Sequence, residues 1–98
     1  MSREEALAQA LRLLAPRMPR HEFGAVIDHA RMSPGLRKAA PEIAAWLSLV
    51  AYVRHVFTNY DDLLTQGYDR ESARHFVGEE IEAVLQGWGA RRRLGADE

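Results

Sequence analysis

Residues 54–88 read RHVFTNYDDLLTQGYDRESARHFVGEEIEAVLQGW, and this stretch decides the fold. Apolar residues recur at helical spacing on either side of a polar joint. Thr58, with Asp61 three residues on, forms a helix N-terminal cap that opens a short helix through Leu63 and Leu64. Gly67 closes that helix. Asp69 caps the last helix, with Tyr68 ahead of the cap and Ala73 placed to form a weak hydrophobic staple. Ala73, Val77, Ile81, Val84 and Trp88 make its buried stripe, Phe76 and Leu85 its flanks, and Gly87 and Gly89 its end. The pattern is a helical hairpin with a charged joint.

Upstream, the segment from Pro41 to Phe57 is a helix that is apolar nearly all round, so its neighbours must surround it. Ala44, Ser48, Ala51 and His55 form its one small or polar stripe, which is either exposed or a line of close helix approach. Nearer the start, Ser2 and Glu5 make a capping box ahead of Leu7, Leu11 and Leu14. Pro16 stops that first helix and Pro19 stands ready to begin the next. Phe23, Val26, Ile27 and Ala30 then fall on one helical face, and Ser33-Pro34-Gly35 is a turn. No segment alternates with period two over a strand's length. The expected fold is all-α: a compact orthogonal bundle of four to five helices over residues 1–88, followed by a flexible tail at 89–98.

A chain of 98 residues, 47% hydrophobic and 28% charged, suits one globular domain rather than a disordered segment. Its lack of cysteine excludes a disulfide framework and a thiolate metal site. A net charge of −1 argues against a generally cationic nucleic-acid binder. The longest apolar run, Ile43 to Val53, is shorter than the roughly 20 residues that span a bilayer. No secretory pattern opens the chain, so the expected location is cytoplasmic with no membrane association.

Arg54 is the least ordinary polar residue, because the helical wheel sets it between Ile43, Leu47 and Val50. A buried guanidinium needs an acid, and Asp61, Asp62 and Asp69 all follow the helix end. Arg70 and Arg74, one turn apart, face the same aspartates and complete the expected network. Left partly open, Arg54, His55, Thr58, Tyr60, Asp61, Arg70 and Arg74 would instead form a binding face. No nucleophile elbow or phosphate loop is present, so no catalytic residue is assigned. His75 and Glu79 have chelating spacing on a face that also holds Glu71 and Glu82, which reads as solvated; no metal or other cofactor is expected. His21 and His29 fall on a polar helix side, and Arg91-Arg92-Arg93, followed by Asp97 and Glu98, reads as a solvated terminus. The apolar third helix, with Trp46 and Trp88 and few residues to cover them, should leave an apolar patch, which favours a non-catalytic protein-interaction module with another chain or its own copy as partner. The alternative is a nucleic-acid-binding domain using the arginine and histidine face.

Arg54-His55, Thr58, Tyr60-Asp61, Leu63-Leu64, Gly67, Arg70, Ala73-Arg74 and Trp88 resemble the signature of the domain of unknown function DUF2293, found in bacteria and fungi. Trp46-Leu47 and Ser33-Pro34-Gly35-Leu36 resemble its short members, so the likeness covers about Leu11 to Trp88. Asn59 departs from the acid expected there. The resemblance implies a small helical fold and carries no activity. A looser likeness of Leu63 to Ala73 to ubiquitin-associated domains lacks their third helix.

Overall fold

The computed structural model describes residues 1–96 and 98. Five α-helices follow one another: α1 Arg3–Leu14, α2 Arg20–Met32, α3 Pro41–Phe57, α4 Tyr60–Thr65 and α5 Arg70–Gly87. A single 3-10 turn, Pro34–Leu36, stands between α2 and α3. The fold is all-α, as expected. The described residues contain no strand.

Local chemistry explains where the helices begin and end. Ser2 Oγ accepts the Glu5 N–H at 3.1 Å and Glu5 Oε1 accepts the Ser2 N–H at 3.1 Å, which completes the capping box. The Asp69 carboxylate accepts the Ser72 N–H at 2.8 Å at the start of α5. That bond holds the Asp69 carboxyl below its usual range. Pro41 is the first residue of α3, where its missing N–H costs nothing. Gly67 and Gly89 take positive φ, +105° and +88°, at the ends of α4 and α5. Tyr68 stands just ahead of the Asp69 cap. It packs edge-to-face on Phe76, with ring centroids 5.3 Å apart.

The core runs along α3, which α1, α2 and α5 all pack against. Leu7, Leu11, Val26, Trp46, Leu49, Val53, Val77, Ile81 and Leu85 are all fully buried. On α5 the buried line is Ala73, Val77, Ile81 and Leu85, one residue every turn. Val84 and Trp88, expected in that line, are only half-buried, and Leu85 replaces them. The small stripe of α3 divides: Ala51 is half-buried and His55 exposed, while its first half is a line of close approach. Ala44 and Ser48 are wholly buried, and Ala44 is wedged against Leu7 of α1 and Ala30 of α2. The adjoining edge is an open one, since Ile43 and Leu47 remain 54% and 40% exposed. Short side chains let backbones come together, so the small residues went inside and two large ones stayed out.

Tyr52 of α3 donates its hydroxyl proton to Glu22 of α2. Burial, then the hydrogen bond to Glu22 and its negative charge, push the Tyr52 phenol from 10.0 up to about 12. A raised folded value means the neutral phenol stabilises the fold below pH 10, and that contribution disappears as pH rises from 10 through 12. Ultraviolet titration should therefore show a tyrosine ionising near pH 12 that is missing in Tyr52→Phe. Full ionisation of every tyrosine by pH 11 in the folded chain would refute the Glu22 contact.

Candidate functional site

Five of the sequence-chosen residues meet at the joint between α3 and α4. The Thr58 hydroxyl donates to the main-chain oxygen of Arg54, one of the carbonyls a helix end leaves unsatisfied, and accepts the Tyr60 N–H at 3.2 Å. Thr58 thus serves both helices, although the residue in the N-cap position of α4 is Asn59. Tyr60 is buried, with the Arg54 guanidinium 5.5 Å from its ring centre. The His55 ring stands edge-on to Tyr60 at 5.4 Å. His55 Nδ1 lies 2.8 Å from Asp61 Oδ1, and both side chains are well exposed.

Arg54 is buried, 7% exposed, but its expected aspartate partners do not reach it. Asp61 is engaged by His55 and Asp69 by its own helix start. Arg54 Nη2 donates instead to the main-chain oxygen of Glu98 at 2.8 Å. Burial, then the charge of Arg74, lower the guanidinium pKa, while Tyr60 and Glu98 pull it back up. Arg74 therefore lies near Arg54 as a like charge. Arg70 is exposed, and among the described residues it makes no ion pair. Arg70, Arg74, His75 and Phe76 line a groove between α5 and residues 94–96 and 98. His21 and His29 are exposed.

The segment after Trp88 supplies what the sequence reading missed. Ala90 is buried and Leu94 packs on the core. Trp46 Nε1 donates to Glu98 Oε2 at 2.6 Å, and the Arg92 guanidinium lies 4.2 Å from the centre of the Trp46 ring. Glu82 of α5 accepts the Leu94 N–H at 3.1 Å and pairs with Arg93 at 3.8 Å. A buried indole N–H in an apolar helix signals that an acceptor must exist. No local spacing says that the acceptor lies 52 residues away. Asp97, grouped with Glu98 in the sequence reading, lies outside the described residues.

Contacts in a static arrangement do not measure motion, so the flexible-tail expectation for 89–98 turns on a rate. Arg54→Leu removes the bond to Glu98 and leaves no carboxylate stranded, because Asp61 is already exposed. The helical body should lose about 1.5–3 kcal/mol, the range for a hydrogen bond made by a charged group. Trypsin should cleave after Arg91, Arg92 and Arg93 several-fold faster in the variant. Equal cleavage rates would mean that the segment is free in the unsubstituted chain.

The model of an uncharacterized conserved protein family, DUF2293, matches residues 10–89. The chain belongs to this family. Every residue of the α3–α4 joint, together with Arg70 and Arg74, lies within the DUF2293 match, whereas the segment from Ala90 onward lies beyond it. Comparison with curated proteins and with solved structures gives no match. Among the described residues no helix is long and apolar enough to cross a membrane, and no cluster of three or more His, Asp or Glu is arranged to hold a metal ion.

Proposed function

We propose that this DUF2293 domain is a non-catalytic protein-interaction module whose partner, another polypeptide chain, docks along α5 at the Tyr68–Phe76 edge. The carrying observation is that these two aromatic rings pack on each other while remaining 43% and 57% exposed. A rigid aromatic pair loses little conformational freedom on binding, and aromatic and arginine side chains supply most interface hot spots. Arg70 lines the same groove as Phe76. Charge favours a protein over a nucleic acid. Glu71, Glu79 and Glu82 line that groove with the arginines, and a polyphosphate backbone would be repelled by them.

The test is capture from native lysate at low and high salt, with nuclease-treated controls, using the full chain and Tyr68→Ala/Phe76→Ala. The reading expects a defined protein retained at high salt, released by the double variant, and rebinding as a purified component. It equally accommodates a second copy, seen as a concentration-dependent dimer that the double variant abolishes. Nucleic acid recovered at low salt, lost at high salt and dependent on Arg70 and Arg74 would replace the reading with the nucleic-acid one.

A further inference from the structure

Trp46 and Arg54 lie two turns apart on one face of α3, with Val50 between them, and both are buried and in contact with Glu98. The contact is specific. One glutamate meets both donors, its carboxylate on Trp46 Nε1 at 2.6 Å and its main-chain oxygen on Arg54 Nη2 at 2.8 Å. The segment is shaped to present that glutamate: Glu98 N–H donates to the Gly95 oxygen at 3.1 Å, and Gly95 N–H donates to Glu98 Oε1 at 2.7 Å. Arg92, six residues earlier, covers the Trp46 ring and pairs with Glu98 Oε2 at 3.8 Å. Donor capacity is left over, because Arg54 Nε is buried and makes no hydrogen bond among the described residues.

We propose that Trp46 and Arg54 form a recognition slot for a peptide carrying a carboxylate six residues after an arginine, and that the chain's own Arg92 and Glu98 fill it as an internal ligand. Two observations separate slot from occupant. Trp46 and Arg54 belong to the DUF2293 match, which ends at residue 89, and the segment that fills the slot does not. The second is chemical: when the segment lifts, an indole N–H and a guanidinium lose their acceptors together, and an incoming peptide of the same pattern restores both charge-assisted bonds. The internal ligand has the advantage of a short connection, so it shields the slot until a competitor outbids its effective concentration. The slot lies on α3 and the Tyr68–Phe76 edge on α5, with residues 94–96 and 98 bordering both, and the Trp46 indole resonance reports on the slot alone.

The test uses the full chain labelled with 15N and follows the Trp46 indole N–H resonance, assigned by its loss in Trp46→Phe. The probe is the synthetic peptide ARRRLGADE, residues 90–98. In the full chain carrying Arg92→Ala and Glu98→Gln, which loosens the internal ligand, the resonance should move saturably with peptide. The affinity should be about tenfold higher than in the unsubstituted chain, as expected when intramolecular competition is relieved. A probe carrying E98Q, or a chain that also carries Arg54→Lys, should bind at least about tenfold more weakly, since a paired charge-assisted contact is lost. No saturable movement in the loosened chain would overturn the proposal. So would equal binding of the two peptides, or a loosened chain that dimerises without peptide and thereby assigns the segment to a second copy.

Discussion

Trp46→Ala should lower the unfolding free energy by about 3–5 kcal/mol, the range for emptying a tryptophan site in a packed core. Trp46 is the largest fully buried side chain, and it joins the main apolar cluster from the middle of α3. Its removal leaves a cavity, strips Glu98 of the indole N–H, and takes away the ring on which Arg92 lies. For a domain of this size each kcal/mol moves the midpoint by about 4–8 °C, so Tm should fall by roughly 12–40 °C. Trp46→Phe separates the contributions. It retains most of the apolar volume and loses the donor, and should cost about 1–2 kcal/mol. Thermal and urea unfolding followed by circular dichroism measure both. A Tm within a few degrees of the original for Trp46→Ala would show that this site is not the core position described.

The second large effect is expected at Gly89. Its φ of +88° is one that side chains with a Cβ rarely adopt, and a Cβ there would lie 2.9 Å from Pro16 Cγ and 3.1 Å from Pro16 Cδ. The proline ring is rigid, so the strain passes to the backbone. Here the α1–α2 connection docks on the end of α5, with Arg17 N–H donating to the Trp88 oxygen at 2.8 Å. Gly89→Ala should cost about 2–3 kcal/mol, the range for a strained backbone position. It should also speed trypsin cleavage at Arg91–Arg93, because the segment leaves α5 at this residue. Gly67 provides the control, with φ +105° and nothing within 4 Å of an added Cβ. Gly67→Ala carries the conformational cost alone, about 1 kcal/mol. Equal destabilisation of the two variants would show that Pro16 moves aside freely.

The stability of the helix ends and the arrangement around them were readable at different levels. Ser2 with Glu5, Asp69 with Ser72, Pro41, Gly67 and Gly89 act within three or four residues of themselves. A cap is a local hydrogen bond and a positive φ is a local torsion, so the chain specifies both wherever it later packs. The all-α class, the central position of Pro41–Phe57 and the gathering of His55, Thr58, Tyr60 and Asp61 follow from the same short-range rules. Arg54 is buried as expected but not for the wheel's reason, since Ile43 and Leu47 beside it stay exposed and Glu98 reaches it from 44 residues on.

Three matters were decided only by the tertiary structure. Hydrophobicity located the core around α3 but not its inner side; Ala44 and Ser48 went inside because short side chains allow two backbones to approach, while Ile43 and Leu47 stayed at the edge. Proximity in sequence suggested aspartates for Arg54, yet Asp61 and Asp69 had nearer donors in His55 and Ser72. The acceptor came from Glu98, 44 residues on, through a main-chain oxygen that every residue carries and no motif can mark. By itself the sequence determined the helices, their caps and which residues demanded partners. Which partner each demand found depends on how packed helices return distant chain to the same place, and that is a property of the space between elements rather than of any one of them.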